Sequence, residues 1–333
     1  MRIAFFELKK WEEEYIKEKL KGHKLFFFNR PLTEKLANKI KDFDIIVVFI
    51  YSNCNKNTIQ QLKKLKYITT MSTGYDHIDI DSCRNNNIKV SNVPSYGENT
   101  VAEHAFALIL SLSKKIQQAV QQTKQDNFSL KDLMGFDLKG KTLGVIGPGK
   151  IGQHVIKIAN GFEMNVLAYS PEQDKKLAKK LNFKFTSSLN ELLKKSDIIT
   201  IHVPLLESTK HMISMRNIKY VKRGAYLINT ARGEIIDTNA LLYALDNKIL
   251  AGAGLDVLEG EEEIKEERQL INEDTTREDW ETFFQNHLLL KDKNVVITPH
   301  SAFYTKEALQ RILDTTIDNI RSFVRGNVKN RVV

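Results

Sequence analysis

Hydrophobic residues in the first third of the chain recur in short apolar runs separated by segments with helical spacing. The apolar runs predict strands at residues 1–8, 24–28, 44–50, 66–70 and 88–90. The intervening segments predict helices at residues 11–21, 33–41, 58–65 and 78–85. Strands that alternate with helices indicate a small parallel α/β unit.

A second α/β pattern begins at Lys141 and continues to Pro299. Its apolar runs predict six strands, at residues 142–146, 165–169, 197–202, 225–229, 251–256 and 295–298. Before it, a long helix is expected to start at a cap formed by Asn99 or Thr100, to run to about Gln121, and to bridge two domains. A last helix over residues 306–323 would return the chain to the first unit.

The segment from Glu261 to Asn294 interrupts this alternation because it is charged and irregular. It is too long for a tight connection between a helix and a strand, so we interpret it as a surface excursion near the ligand-binding cleft.

A glycine-rich motif lies between the first strand and the first helix of the second unit. Gly147 permits a tight turn, Gly149 lets the backbone approach a pyrophosphate, and Gly152 lets the helix lie close to the sheet. Such a motif in a turn that binds nothing is the alternative, but the strand before it and the helical pattern after it favour a dinucleotide site.

The position that usually accepts from the ribose 2′-OH follows the second strand of this unit, and here it is Ser170. A hydroxyl can bond a 2′-OH or a 2′-phosphate, whereas an acidic residue would repel the phosphate. This residue leaves both NAD and NADP open, and NAD is expected only by resemblance to a known family. Glu172, Lys175 and Lys176 are read as the start of a solvated helix.

Composition excludes several classes of protein. The chain has 333 residues, of which 42% are hydrophobic and 27% charged, as in ordinary globular proteins. No apolar run is long enough to span a membrane, and the N-terminus does not resemble a signal peptide, so a cytoplasmic protein is expected. Two distant cysteines, Cys54 and Cys83, argue against a disulfide framework and against a zinc site.

The formal net charge of +9 raises the question of an anionic partner. The lysines are interleaved with glutamates along helical faces and form no basic block, so a solvated surface is favoured over nucleic-acid binding. A modest positive excess would also help to attract a small carboxylate.

Three charged or titratable residues are predicted at the carboxyl ends of strands, where α/β sheets bind ligands. Taken singly, Arg232 is a turn arginine, Glu261 belongs to an acidic run with Glu259, Glu262 and Glu263, and His300 is a structural histidine. Together they supply what the reduction of a 2-oxo acid requires. Arg232 is a cation that can bind the substrate carboxylate and polarise the ketone, His300 is an imidazole that can donate a proton, and Glu261 is a carboxylate that can orient the imidazole.

At this point the sequence resembles the D-isomer-specific 2-hydroxyacid dehydrogenases over essentially its whole length. The motifs that carry the resemblance are MSTGYDHID at 71–79, SNVPSYG at 91–97, VAEHA at 101–105, the Gly147 fingerprint, HVP at 202–204, NTARGE at 229–234, GLDVLEGE at 254–261 and TPHSAFY at 298–304. The last run and the acidic segment before it look most like the D-lactate dehydrogenase branch.

The resemblance implies roles for individual residues. Arg232, Glu261 and His300 would be catalytic, and the backbone N–H groups of Thr73 and Gly74 would bind the substrate carboxylate. Tyr96 would reach the substrate, and Phe49 and Phe303 would bound its side-chain pocket. The cofactor pyrophosphate would be bound by Lys150 and Ile151, and the ribose by Ser170. Asp256 would bond the carboxamide. The residues around the nicotinamide half of the cofactor would be Val203, Pro204, Thr209, Thr230 and Ala231. His104 matches a family pattern too, but is interpreted as an interdomain packing residue.

We therefore expect two doubly wound parallel-sheet α/β domains. One is a flavodoxin-like substrate domain of residues 1–98 and 300–333, and the other is a Rossmann cofactor domain of residues 99–299. The predicted protein is a homodimeric, NAD(P)-dependent reductase that makes a D-2-hydroxy acid such as lactate. The alternatives are a glyoxylate or hydroxypyruvate reductase and a non-catalytic, dinucleotide-sensing protein of the corepressor type, because fold alone does not decide function.

Overall fold

The computed structural model describes residues 1–261 and 277–333 of the chain. These residues form two compact units, one of Met1–Tyr96 with Thr305–Val333 and the other of Gly97–Tyr304. Residues 97–98 and 300–304, which the sequence analysis assigned to the first domain, fall in the second unit. The turn after Pro299 stays with the second unit because the N–H groups of Ser301 and Ala302 donate to Asp256.

The first unit contains a five-stranded parallel sheet. Its strands are β1 Arg2–Phe6, β2 Lys24–Phe28, β3 Ile45–Val48, β4 Tyr67–Thr70 and β5 Lys89–Ser91. Their spatial order is β2-β1-β3-β4-β5, the order of flavodoxin-like folds. The direction of winding changes between β1 and β3, and ligands of such sheets bind at the carboxyl ends of the strands at that point.

The second unit contains a seven-stranded parallel sheet. Its strands are β6 Thr142–Ile146, β7 Asn165–Tyr169, β8 Lys184–Phe185, β9 Ile198–Ile201, β10 Ala225–Asn229, β11 Leu250–Leu255 and β12 Val295–Ile297. Their order, β12-β11-β10-β9-β6-β7-β8, contains the Rossmann arrangement and places the switch point between β6 and β9. The predicted fold class is confirmed. The strand missed by the prediction, β8, pairs only two residues at the edge of the sheet, which is too short for an apolar pattern.

Helices cover the faces of both sheets. In chain order, those in the described part of the chain are α1 Lys10–Lys19, α2 Glu34–Ala37, α3 Lys56–Gln61, α4 Ile80–Asn85, α5 Glu98–Ser113, α6 Ile116–Thr123, α7 Lys150–Gly161, α8 Lys175–Lys180, α9 Leu189–Lys195, α10 Thr238–Asp246, α11 Arg277–Lys291 and α12 Lys306–Val324. Short 3-10 helices lie at Ile218–Tyr220 and Gly233–Ile235. None of these described helices is long and apolar enough to cross a membrane.

The long helix predicted to run to Gln121 is two helices, α5 and α6. Lys115 adopts a left-handed conformation with a φ of 52° between them. The carbonyl of Ser113 accepts from Phe136 N at 2.9 Å, so the returning chain takes a bond that a continuous helix would use. Gly97 is the residue at the N-cap, in place of Asn99 or Thr100. Helix α5 belongs to the second unit, where Leu108 packs on Gly254 of β11.

The interpretation of residues 261–294 as irregular is wrong for its second half, because α11 occupies Arg277–Lys291. Helical spacing in this segment is masked in the sequence by charged residues. The rest of the predicted excursion, residues 262–276, lies outside the described residues, and so do Glu262 and Glu263.

Candidate active site

The glycine motif follows β6 at the switch point of the second sheet. Gly147 has a φ of 89°, and a Cβ there would lie 2.8 Å from the carbonyl oxygen of His202. A Cβ on Gly152 would lie 2.3 Å from the carbonyl oxygen of Gly147. Any side chain at either position would therefore push the turn, the helix and the next strand apart.

Gly149 is the N-cap of α7 and gives this helix no side-chain cap. A Cβ built at Gly149 has no atom within 4 Å, so the space beside the helix end is open. The first turn of α7 begins with Lys150 and Ile151, and the backbone N–H groups of a helix's first turn point out of the helix end. They are oriented to bind an anion such as a pyrophosphate. Lys150 itself pairs with Glu98 at 3.8 Å.

The remaining residues predicted to bind cofactor follow neighbouring strands. Ser170 comes directly after β7 and is partly buried, while Lys175 and Lys176 are exposed in α8. Val203 and Pro204 follow β9, and Thr209 closes the turn after them, since its Oγ1 accepts from Leu206 N at 2.7 Å and donates to Pro204 O at 2.6 Å. The Thr209 hydroxyl therefore organises this turn.

Thr230 and Ala231 lie in a turn after β10 that Asn229 holds. The side chain of Asn229 accepts from Ala231 N at 3.0 Å and donates to Arg232 O at 2.8 Å. Thr230 Oγ1 is buried and bonds to no other described residue, which fits a hydroxyl that would meet a cofactor. Together with the open helix end, this atom makes the second unit suited to a nicotinamide dinucleotide.

Arg232 lies at the end of the Asn229 turn, where one of its guanidinium nitrogens donates to Ala231 O at 2.8 Å. The next residue, Gly233, approaches the segment that carries Glu261, because a Cβ on Gly233 would lie 2.0 Å from the carbonyl carbon of Leu258. Burial raises the pKa of Glu234, nearby Glu261 and Glu259 add to the rise, and Arg232 opposes it. The fold therefore brings Arg232 and Glu261 into one charged cluster around Glu234.

Glu261 and His300 form a direct pair, with 2.5 Å between Oε1 and Nδ1. Both side chains are mostly buried, at 23% and 18% exposure. A carboxylate only accepts, so the bond requires the proton on Nδ1 and leaves Nε2 as the nitrogen able to exchange a proton. His300 has a φ of 52°, and its N–H donates to Asp256 O at 2.8 Å.

Asp256 holds the turn that carries His300. It is 1% exposed, and its carboxylate accepts from Ser301 N and Ala302 N, each at 2.8 Å, and from Thr298 Oγ1 at 2.5 Å. Burial raises the pKa of Asp256, but the bonds from His104, Thr298, Ala302 and Ser301 outweigh it and lower that pKa below its ordinary value. His104 bonds Thr298 at 3.0 Å within the second unit.

The Thr73–Gly74 loop follows β4 in the first unit and is held by its own polar groups. Ser72 Oγ donates to Gly74 O at 2.6 Å, Thr73 Oγ1 donates to Val93 O at 2.8 Å, and Asn92 Nδ2 donates to Thr73 O at 2.8 Å. Within residues 1–261 and 277–333, the N–H groups of Thr73 and Gly74 donate to no other residue. They are two adjacent donors able to bind an anion.

The predicted pocket residues are divided between the units. Phe49 and Tyr96 lie in the first unit and Phe303 in the second. Phe49 is partly buried and meets the ring of Tyr51 edge-on with centroids 6.5 Å apart. The carbonyl of Tyr96 accepts from Arg311 Nε at 2.5 Å, and Phe303 meets Tyr304 with centroids 5.8 Å apart.

Sequence reasoning missed the residues that hold these groups in place. Asn229 bonds within its own turn, Asn92 bonds the Thr73–Gly74 loop, and Thr298 bonds Asp256. Glu259, read as part of a solvated run, bonds His211 at 2.6 Å and Thr238 Oγ1 at 2.8 Å. An Asx turn is a local signal that could have identified Asn229, but the other partners are distant in the chain.

Comparison with known proteins agrees with this arrangement. The profile of the D-isomer specific 2-hydroxyacid dehydrogenase NAD-binding domain matches residues 106–302, more than half of the chain. The chain belongs to this family. It is an oxidoreductase that uses a nicotinamide dinucleotide to interconvert 2-oxo and 2-hydroxy acids.

The similarity extends over whole chains. A D-lactate dehydrogenase of Escherichia coli is 33% identical over 98% of both chains, and a 2-hydroxyacid dehydrogenase homolog of Zymomonas mobilis is 36% identical over 98% of both. The crystal structure of a D-lactate dehydrogenase from Aquifex aeolicus, complexed with NAD and lactic acid, superposes with a TM-score of 0.88, at 36% identity over 99% of both chains.

Proposed function

We propose that this dehydrogenase reduces a small 2-oxo acid such as pyruvate to the D-2-hydroxy acid, with Arg232, Glu261 and His300 as its catalytic residues. The observation that carries the proposal is the 2.5 Å bond between Glu261 and His300 beside the arginine turn. In this reaction the nicotinamide supplies the hydride, and the protein must bind the substrate, polarise its ketone and deliver a proton.

His300 delivers the proton. Because Glu261 holds Nδ1–H, the proton passes from Nε2 to the oxygen that develops negative charge as the ketone is reduced. The Glu261 carboxylate also fixes the orientation of the imidazole ring, because it accepts the hydrogen bond from Nδ1 at 2.5 Å. Oxidation of the hydroxy acid uses the same nitrogen as the base.

Arg232 binds the substrate carboxylate and polarises the ketone. Its planar guanidinium can donate two parallel N–H bonds to a carboxylate, which lysine cannot do. In the first unit, the N–H groups of Thr73 and Gly74 contribute further donors to the carboxylate. Phe49, Tyr96 and Phe303 contact the rest of the substrate and restrict its size.

The cofactor is NAD, bound by the α7 N-terminus at its pyrophosphate. The pyrophosphate can approach the backbone closely because of Gly147, Gly149 and Gly152. The N–H groups of the first helical turn come from Lys150 and Ile151. Ser170 bonds the ribose. Val203, Pro204, Thr209, Thr230 and Ala231 surround the nicotinamide half. Asp256 bonds the carboxamide through Oδ2, which among the described residues accepts only from Ala302 N.

Ser170→Asp tests the cofactor choice. The added carboxylate would accept from a ribose 2′-OH and repel a 2′-phosphate, so the NADPH to NADH ratio of kcat/KM should fall at least several-fold. Ser187→Asp, the same change at an exposed position just before α9, should leave the ratio unchanged. An unchanged ratio in Ser170→Asp would place the ribose elsewhere.

The active form is a homodimer built on the second unit. Phe128, Leu130 and Met134 are 79%, 84% and 91% exposed on one short segment, and Ile116 and Val120 on α6 are about half exposed. Exposed apolar side chains are typical of an interface when they adjoin one another, and a second copy presents the same side chains. Sedimentation should give twice the mass of one chain, and Leu130→Lys should lower it. A monomeric parent would refute the dimer.

The compartment is the cytoplasm. Cys54 and Cys83 are both fully buried thiols without a disulfide, which suits a reducing environment.

The test of the function is the rate of NADH and NADPH oxidation with pyruvate, phenylpyruvate, 2-oxoisocaproate, hydroxypyruvate and glyoxylate. We expect turnover of pyruvate or of a somewhat larger analogue, with a product oxidised by a D-specific and not by an L-specific lactate dehydrogenase. Preference for glyoxylate or hydroxypyruvate would reassign the substrate. The absence of turnover with all five would refute the function.

A further inference from the structure

Glu7 lies at the switch point of the first sheet, directly after β1. Strand β1 pairs with β3 so that Phe5 is opposite Val47. Two residues further along, Glu7 and Phe49 leave the sheet side by side at its carboxyl edge. In doubly wound sheets this is the position at which ligands bind.

The carboxylate of Glu7 holds the loop that follows β3. Oε1 accepts from Phe49 N at 3.2 Å and Oε2 accepts from Tyr51 N at 3.1 Å. The hydroxyl of Ser52 donates to Oε1 in a short bond and itself accepts from Leu32 N at 2.9 Å. Donors on the backbone and on a side chain therefore converge on one acidic group.

The backbone at Glu7 is strained to make these contacts. Its φ is 63°, in the left-handed region that glutamate seldom adopts. Burial raises the pKa of Glu7, and the bonds from Ser52, Tyr51 and Phe49 only partly offset that effect. A strained and desolvated carboxylate is unfavourable for stability, and such features concentrate at functional sites.

A carboxylate suits this loop better than any other side chain. It only accepts, and its two oxygens can take about four hydrogen bonds. An amide of the same size has a single acceptor oxygen, and its NH₂ group would face a donor of the loop. Substitution by glutamine therefore removes an acceptor without creating a cavity.

We infer that Glu7 is a positioning residue that sets the substrate-size selectivity of the enzyme by fixing the Phe49–Ser52 loop. The inference rests on the proposed function, in which Phe49 bounds the substrate pocket. The adjacent strand supports it, because Met71 N donates to Val48 O at 2.8 Å and so joins the base of this loop to the Thr73–Gly74 segment. Glu7 touches no reacting atom itself.

The test compares Glu7→Gln with Glu12→Gln in the full-length enzyme. Glu12 is a matched control because its pKa is also raised by burial and its carboxylate accepts from the backbone N–H of Lys9 at 2.6 Å, away from the loop. Steady-state kinetics on pyruvate and phenylpyruvate would be measured for both variants, with the Kd of NADH from fluorescence.

Glu7→Gln should raise KM for pyruvate roughly 10-fold and change kcat less than 3-fold, with the Kd of NADH unchanged, in the range that one lost charge-assisted bond produces. The ratio of kcat/KM for phenylpyruvate to that for pyruvate should rise, because a loosened Phe49 admits a larger side chain. Glu12→Gln should leave KM, kcat and the ratio unchanged.

Glu7→Gly is the second variant, because glycine adopts a φ of 63° without strain and compensates for stability while removing the carboxylate. It should show the same rise in KM and in the ratio, which decides the case if Glu7→Gln does not fold. If the parent reduces no 2-oxo acid, the proposed function fails and the inference fails with it. If the parent is active and the Glu7 variants keep its KM and ratio, only the inference is overturned.

Discussion

The two sheets end in loops held by the same device, a carboxylate that follows one strand and binds the loop after its neighbour. In the first unit Glu7 follows β1 and accepts from the loop after β3. In the second unit Asp256 follows β11 and accepts from the turn after β12. Each carboxylate converts a flexible connection into a fixed one by accepting backbone N–H groups.

The two carboxylates differ in charge balance. For Asp256 the hydrogen bonds outweigh burial and lower its pKa, whereas for Glu7 burial outweighs the hydrogen bonds and raises its pKa. Asp256 therefore remains an anion over a wide pH range, and it holds the turn of the residue proposed to transfer the proton. Glu7 holds a loop proposed only to shape the pocket, where a less stable anion suffices.

The two sheets divide the work between chemistry and recognition. Changes at the carboxyl ends of the second sheet's strands should act mainly on kcat or on the transition state, and changes at those of the first sheet should act mainly on KM and substrate choice.

His300→Gln should lower kcat for pyruvate reduction by roughly 10²- to 10⁴-fold, the usual contribution of a general acid. Binding of NADH should hardly change, because His300 is proposed to act on the substrate. His287→Gln on α11 is the control and should keep the parent rate. Turnover of His300→Gln close to that of the parent would remove His300 from the mechanism.

Arg232→Lys should lower kcat/KM for pyruvate about 10- to 10²-fold, because a single ammonium replaces two parallel N–H bonds worth about 1.5 to 3 kcal/mol. The measurement compares pyruvate with a matched methyl ketone that lacks the carboxylate. The ketone should lose much less. Equal proportional losses on both substrates would show that Arg232 does not bind the carboxylate.

Asp256→Asn should lower kcat by about 10-fold, since the amide leaves a donor of the His300 turn unsatisfied at a cost of about 1 to 3 kcal/mol. The matched control is Asp197→Asn. Asp197 directly precedes β9, at the amino ends of the strands of the same sheet, and its carboxylate accepts from Thr142 N at 2.8 Å. A loss of stability without loss of kcat, or equal effects in both variants, would contradict the positioning of His300 by Asp256.

Acid should weaken the second unit through His202. Burial lowers the pKa of this residue from 6.5 to about 3, so between these values the unfolded chain binds a proton that the folded chain does not. The contribution of His202 to the free energy of unfolding is therefore complete above pH 6.5. It is lost as the pH falls toward 3, by at most about 1.4 kcal/mol per pH unit. Urea unfolding of His202→Gln between pH 4.5 and 7 should show a shallower pH slope than the parent by about that amount. Equal slopes would mean that His202 titrates normally in the fold.

Much of the fold followed from local pattern. Eleven of the strands were predicted within a few residues because their apolar runs are buried on both faces, as in β3 and β9. Edge strands and helix ends were less predictable from local pattern. The short β8 and the break at Lys115 each depend on partners elsewhere in the chain, and local propensity does not report them.

By itself, the sequence determined the two α/β units, the glycine turn and the residue types of the site, because hydrophobic period and glycine geometry are properties of neighbouring residues. Only the tertiary structure decided how the site is supported. The pair of Glu261 with His300, the turn held by Asp256 and the loop held by Glu7 each join residues about 40 positions apart. Parallel strands bring such residues to one edge of a sheet through crossovers, and the sequence between them does not specify which donors will meet which carboxylate.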